Sequence, residues 1–198
     1  MKSMKISSAF LTLILSLGFF MPAMAQYETP SSTVQNMLDA VFGILRSPDF
    51  NLDRDKETIE SAVSGAFDPN TIAQSALAAS YRDLSAEQRS EFEQIFFNIL
   101  KSTYIERLDA YTDETVEVLN EAIDGPRGTV ETVVNTTNSQ ISVDYSLRQR
   151  PNGWFIYDII VEDVSLLSSY RSTYRSIIRR DGIDALMMEL RRQAAELE

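Results

Sequence analysis

Apolar positions along this chain change their period twice. Val34, Met37, Leu38, Val41 and Leu45 recur at i, i+3, i+4 and i+7 behind Ser31 and Ser32, which predicts an amphipathic helix capped by those serines and stopped by Pro48. A second helix is expected over Lys56 to Phe67. In "FDPNTI", Asp68 reads as an N-cap and Pro69 as the first residue of a third helix. Ser85 and Gln88 form a capping box for a fourth, whose face Phe92, Ile95, Phe96, Ile99, Leu100, Thr103, Tyr104 and Leu108 runs for about five turns.

From Glu114 the period becomes two. "TVEVLNEA", "GTVETVVNT" and "SQISVDYSLR" read as successive strands, and "RPNGW" as a hairpin turn with Asn152-Gly153 at its tip. Ile141, Val143, Tyr145 and Leu147 share one face; Ser142, Asp144, Ser146 and Arg148 share the other. The next strand, Trp154 to Val161, is apolar on both faces and leaves two registers open. A three-residue loop, the favoured reading, brings Phe155, Tyr157, Ile159 and Val161 to the apolar face. A four-residue loop brings Trp154, Ile156, Asp158 and Ile160 there instead, because a slip of one residue exchanges faces. The period then returns to helical. Leu167, Tyr170, Tyr174 and Ile177 line one helix, ending at Gly182 as C-cap, and Ile183, Leu186, Met187 and Leu190 line the last. The expected class is α+β: helices packed on one face of a twisted antiparallel sheet of about four strands.

The first residues add a targeting signal. Lys2 and Lys5 precede an apolar run from Ile6 to Phe20, then Pro22 and the "AMA" of Ala23 to Ala25. A basic start, a short apolar stretch and an A-x-A site predict a secretory signal peptide cut after Ala25. The run is shorter than the roughly 20 residues a membrane-spanning helix needs. Cleavage would leave residues 26–198 as one domain.

Composition then narrows the chemistry. The chain has no cysteine and no histidine, so disulfides, thiol chemistry, the commonest zinc ligand and every Ser-His arrangement are excluded. A net charge of −11, which loss of the two leading lysines takes to −13, disfavours nucleic acid and anionic membrane surfaces. No glycine-rich phosphate loop and no metal-ligand spacing occurs, and no residue is assigned a catalytic or metal-binding role. Asp158, set among apolar neighbours, reads either as a proton-transfer base or as a structural carboxylate bonded to a Tyr, a Ser or an Arg such as Arg171. The structural reading is favoured, since buried acids are usually paired. In "SYRSTYR", Arg171 or Arg175 offers a contact for an anionic headgroup. The aromatic stripe on the fourth helix would by itself be ordinary core.

Trp154, Tyr157-Asp158, Val164-Ser165, Tyr170-Arg171-Ser172 and Gly182 to Leu186 fall in one ordered set. With "FDPNTIAQSAL" and "YRDLSAEQRSEFEQIF" upstream, that set resembles the MlaC family of periplasmic phospholipid-binding proteins, also known as toluene-tolerance auxiliary proteins. Two positions depart from the family pattern, which often has Gly where Asp163 stands and Leu-Gly where this chain has Leu77-Ala78. The resemblance implies a soluble periplasmic carrier of phospholipid with no cofactor beyond its cargo, acting as a monomer and maintaining the asymmetry of the outer membrane. Its implied partners are an inner-membrane ABC-type Mla complex bearing an MCE-domain protein and an outer-membrane Mla lipoprotein bound to a porin. On that basis Phe92, Phe96, Leu100 and Tyr104 are expected to form one wall of a lipid cavity. Ile141, Val143, Tyr145, Tyr157, Ile159 and Val164 are expected to form the other. Two rival readings stand beside it: a small enzyme using Asp158, and a non-enzymatic adaptor with a closed core.

Overall fold

A computed structural model describes residues 29–110 and 114–197; the expected signal peptide and its expected cleavage site lie outside them. Helix α1 spans Pro30–Leu45, α2 Leu52–Ser64, α3 Pro69–Leu77, α4 Ala86–Ile105, α5 Leu166–Asp181 and α6 Ile183–Ala195. Strands β1 Thr115–Asp124, β2 Arg127–Asn135, β3 Gln140–Arg150, β4 Gly153–Val161 and β5 Val164–Ser165 form one antiparallel sheet in sequential order. The α+β class holds, with five strands rather than about four.

Local chemistry sets most helix ends. Thr29, not Ser31 or Ser32, caps α1, and Ser32 answers from the third helical position in a capping box. Asp68 and Ser85 cap α3 and α4 as their sequences predict. Helix α2 begins four residues before Lys56, because Asn51 accepts a hydrogen bond from the Arg54 N–H. It stops at Ser64 because the following backbone serves the sheet. Ile156 N–H donates to the Ala66 carbonyl at 2.8 Å, and Asp68 N–H donates to the Ile156 carbonyl at 2.9 Å.

The β3–β4 hairpin departs from both expected registers. Arg150 pairs with Gly153, so the loop is only Pro151-Asn152, and near the turn Leu147 faces Ile156. A bulge then sets Tyr157 and Asp158 against Ser146, after which Tyr145 faces Ile159 and Val143 faces Val161. The favoured three-residue-loop pairing therefore holds only beyond the bulge. Between the bulge and the turn the other face wins: Trp154 and Ile156 are buried. An inserted residue switches faces midway, which explains why β4 is apolar on both.

Helix α1 crosses the sheet and is pinned at its first turn. Pro30 lies over Gly128, where a Cβ would come within 2.5 Å of the proline ring. The Thr33 hydroxyl donates to the Trp154 carbonyl at 3.1 Å, and Ser31 N–H donates to the Glu121 carboxylate at 2.6 Å. Helices α3, α4, α5 and α6 pack together beside the sheet around Phe92, Phe96, Leu186 and Leu190.

Both departures from the family's glycines fall on positive φ. Ala78 has φ 50° where α3 ends, and Glu162 and Asp163, with φ 47° and 64°, form the two-residue β4–β5 turn. Left-handed backbone at two central residues is the requirement of a type I′ turn, which Gly meets at lowest cost. Ala78→Gly is expected to raise stability by about 1 kcal/mol, read from the urea midpoint.

The carboxylate of Asp68 carries a pH dependence. Its burial opposes ionisation, yet the Thr71 hydroxyl and N–H and the Arg150 guanidinium together hold its pKa below the ordinary value of 3.8. A depressed folded pKa contributes stability above the unfolded value and loses it as the pH falls through the folded one. Acid titration followed by circular dichroism is expected to show a shallower loss of stability below about pH 4 in Asp68→Asn than in the parent chain.

Candidate functional site

Three apolar clusters make up the interior. One lies among α3 to α6, one between α1 and the sheet, and one where α1, α2 and the end of α4 meet. Between them is an apolar cavity of about 240 Å³. The C-terminal half of α1 supplies Met37, Leu38, Val41, Phe42 and Leu45. Leu100, Tyr104 and Ile105 come from α4, and Tyr145, Tyr157 and Ile159 from the sheet. Val63, Phe67 and Ile72 close one side, and Leu166 and Leu167 at the start of α5 close the other. Tyr104 and Leu166 also line a neighbouring groove of about 410 Å³, on whose wall lies the buried, unpartnered hydroxyl of Tyr174.

The polar groups at the cavity are engaged elsewhere or neutral. Lys101 Nζ lies 3.3 Å from the Glu60 carboxylate and 5.5 Å from the centre of the Phe97 ring. Burial pushes the Tyr145 phenol up to about 12, so it stays protonated at any physiological pH. Asp158 accepts from the Ser165 hydroxyl at 2.6 Å, from Leu167 N–H at 3.1 Å and from Ile159 N–H at 2.9 Å. Ser165 in turn caps α5 by accepting from Ser168 N–H. Asp158 is thus a clamp that fastens the start of α5 to β4, the structural role favoured from the sequence, with serine as its partner. Arg171 is not that partner: its Nε donates to the Ser75 carbonyl at 2.7 Å. Arg175 is exposed on α5. Among the described residues, no group of His, Cys, Asp and Glu is arranged to hold a metal ion.

Of the expected wall residues, Leu100, Tyr104, Tyr145, Tyr157 and Ile159 line the cavity. Phe92 and Phe96 do not. They lie fully buried two turns and one turn before Leu100 on α4, with rings against Tyr174 at 6.1 and 5.4 Å. Ile141 and Val143 sit further along β3, outside the lining, and Val164 is 61% exposed on β5. The wall absent from the expectation is α1. Its signal was present in the same i, i+3, i+4 spacing, to which Phe42 adds an apolar position that widens the stripe beyond what one packed neighbour needs.

The fold and this site define a class: a helix-on-sheet α+β domain built around an apolar cavity lined from both layers. The profile of the MlaC protein family matches residues 35–192, and the chain belongs to that family. The intermembrane phospholipid transport system binding protein MlaC of Haemophilus influenzae is 23% identical over 197 residues, covering 94% of this chain and 92% of that protein. The fold is that of a phospholipid-binding protein from Ralstonia solanacearum, solved in complex with a phospholipid. That match has a TM-score of 0.76 at 24% identity and covers 85% of this chain and 98% of that one.

Removing the clamp tests its structural role. Asp158→Ala strands the Ser165 hydroxyl and the Leu167 N–H and is expected to lower stability by about 2 kcal/mol in urea unfolding. Asp158→Asn keeps an acceptor oxygen and is expected to cost about half as much.

Proposed function

We propose that this chain is a phospholipid carrier of the periplasm, exported by a signal peptide cut after Ala25. The cavity receives acyl chain and the headgroup stays in water. In this reading the carrier exchanges lipid with an inner-membrane ABC-type complex bearing an MCE-domain protein and with an outer-membrane lipoprotein bound to a porin. It acts as a monomer and performs no bond-making chemistry.

One observation carries the proposal: an apolar hollow lies where the core clusters meet, and its polar neighbours are tied to other partners. An apolar cavity of roughly 150 Å³ already stays dry and takes up small hydrocarbons, and this one is larger at about 240 Å³. Family membership and the phospholipid binding of the two relatives agree with a phospholipid as the occupant. The energetics ask for such a carrier. At about 0.8 kcal/mol for each buried methylene, two chains with roughly thirty methylenes lose on the order of 24 kcal/mol in water. A bare lipid therefore does not cross an aqueous gap at a useful rate. A carrier need only match the solvation a bilayer gives, since tighter holding would prevent release. The rival enzyme reading finds no support at Asp158, whose carboxylate is already held by three donors. A closed-core adaptor has no use for the hollow.

Organic extraction of natively purified protein followed by mass spectrometry is expected to yield glycerophospholipid in near-stoichiometric amount; extracts free of it overturn the reading. Leu38→Trp, which fills the cavity without burying a charge, is expected to lower lipid occupancy while the domain stays folded. Phe96→Leu, in the core away from the cavity, is expected to cost about 1–2 kcal/mol of stability and leave occupancy unchanged.

A further inference from the structure

Helix α4 has a second end, and its surroundings are the reverse of the first. Near its start a recess of about 750 Å³ opens between α3, the 3-10 turn Ala78–Asp83, the first turn of α4 and the turn-proximal part of β3. Arg82, Arg89, Arg148 and Arg150 line it, and among the described residues no carboxylate does. That is four of the 18 basic residues of a chain whose net charge is −11.

The cluster is also built. Arg89 is fixed by hydrogen bonds from Nε to the Tyr81 carbonyl at 3.1 Å and from Nη2 to the Arg82 carbonyl at 2.9 Å, and it stacks over the Tyr81 ring at 5.3 Å. Arg150 is held by Asp68 at 2.7 Å and by Thr71. The nearby Glu93 is spent on Asn70 and Tyr81. Arg82 and Arg148 carry no ion pair or side-chain hydrogen bond among the described residues, and both are exposed. Two guanidiniums are thus oriented by the fold while two remain open to a ligand. Planar guanidinium forks match carboxylates in bidentate geometry.

We propose that this recess is a docking socket for an acidic segment of a protein partner, which inserts neighbouring Asp or Glu side chains between Arg82 and Arg148. A concave site admits the side chains of an extended peptide, whereas a flat bilayer meets only its rim. The socket is distinct from the cavity: among the described residues the two share no lining residue, and on α3 Thr71 lines the recess while Ile72 lines the cavity. A partner held there leaves the cavity end of the helix uncovered. The proposal stands independently of the cargo.

Fluorescence anisotropy of a labelled Gly-Glu-Asp-Glu-Asp-Gly peptide, titrated with the full chain at low salt, tests it. Saturable binding is expected, weakened at least about tenfold by the double substitution Arg82→Glu/Arg148→Glu and by raising the salt to about 0.5 M. The control pair Arg179→Glu/Arg180→Glu, on the exposed end of α5, is expected to leave binding unchanged. Circular dichroism and lipid occupancy are expected to be unaltered in both variants, which separates loss of the socket from loss of the fold or of the carrier site. Absence of saturable binding overturns the proposal, as does equal weakening in both variants. So does capture by phosphatidylglycerol vesicles or inorganic phosphate without capture of the peptide.

Discussion

Three apolar clusters that approach one another without merging are the constraint on which the molecule depends. The cavity they leave measures about 240 Å³, and its apolar walls forgo the dispersion contacts that a filled core would make. The rest of the structure is arranged around that opening. Helix α1 is pinned to the sheet at its first turn by Pro30 on Gly128, the Thr33 hydroxyl and Glu121. Its later turns pack Val41 and Leu45 against α2 and the end of α4 and bring Leu38 and Phe42 to the hollow.

The sheet meets the same constraint through β4. A regular hairpin would keep one face of β4 toward the helices along its whole length. The bulge at Tyr157 instead buries Trp154 and Ile156 against α1 and α3 near the turn, and aims Tyr157 and Ile159 into the cavity beyond it. Asp158, displaced by the same bulge, becomes available to seize the start of α5. One inserted residue therefore makes the cavity floor and fastens the helix at its side, which accounts for the Tyr-Asp pair and the downstream Val-Ser acting as a unit.

What the sequence made legible follows from the range of the forces involved. Capping boxes, Pro at the first helical turn and the terminal glycine act over three or four residues, and the ends they mark for α3, α4 and α5 were read correctly. The β3–β4 register could not be read, because the bulge answers to helices more than eighty residues away. Periodicity found the stripe of α4 but not its division. Phe92 and Phe96 meet α5, while Leu100 and Tyr104, on the same face, meet the hollow. An apolar side chain is chosen for the absence of water, and dense core and empty cavity satisfy that equally. For the same reason α1 was read as a helix with one buried face, but not as a wall.

Charge, unlike apolarity, distinguishes the two ends of α4. At its C-terminal half the cavity-lining Lys101 is neutralised by Glu60 and covered by the Phe97 ring. At its N-terminal end two arginines remain uncompensated beside two that the fold has fixed. Holding like charges together in this way is unfavourable for the isolated chain, and fixed hydrogen bonds to Tyr81, Asp68 and Thr71 sustain it. Such an arrangement is retained against self-repulsion when a counter-charge arrives from outside. A single rigid helix of 20 residues thus keeps apart two kinds of recognition, one by exclusion of water and one by ionic pairing, and neither need weaken for the other to act.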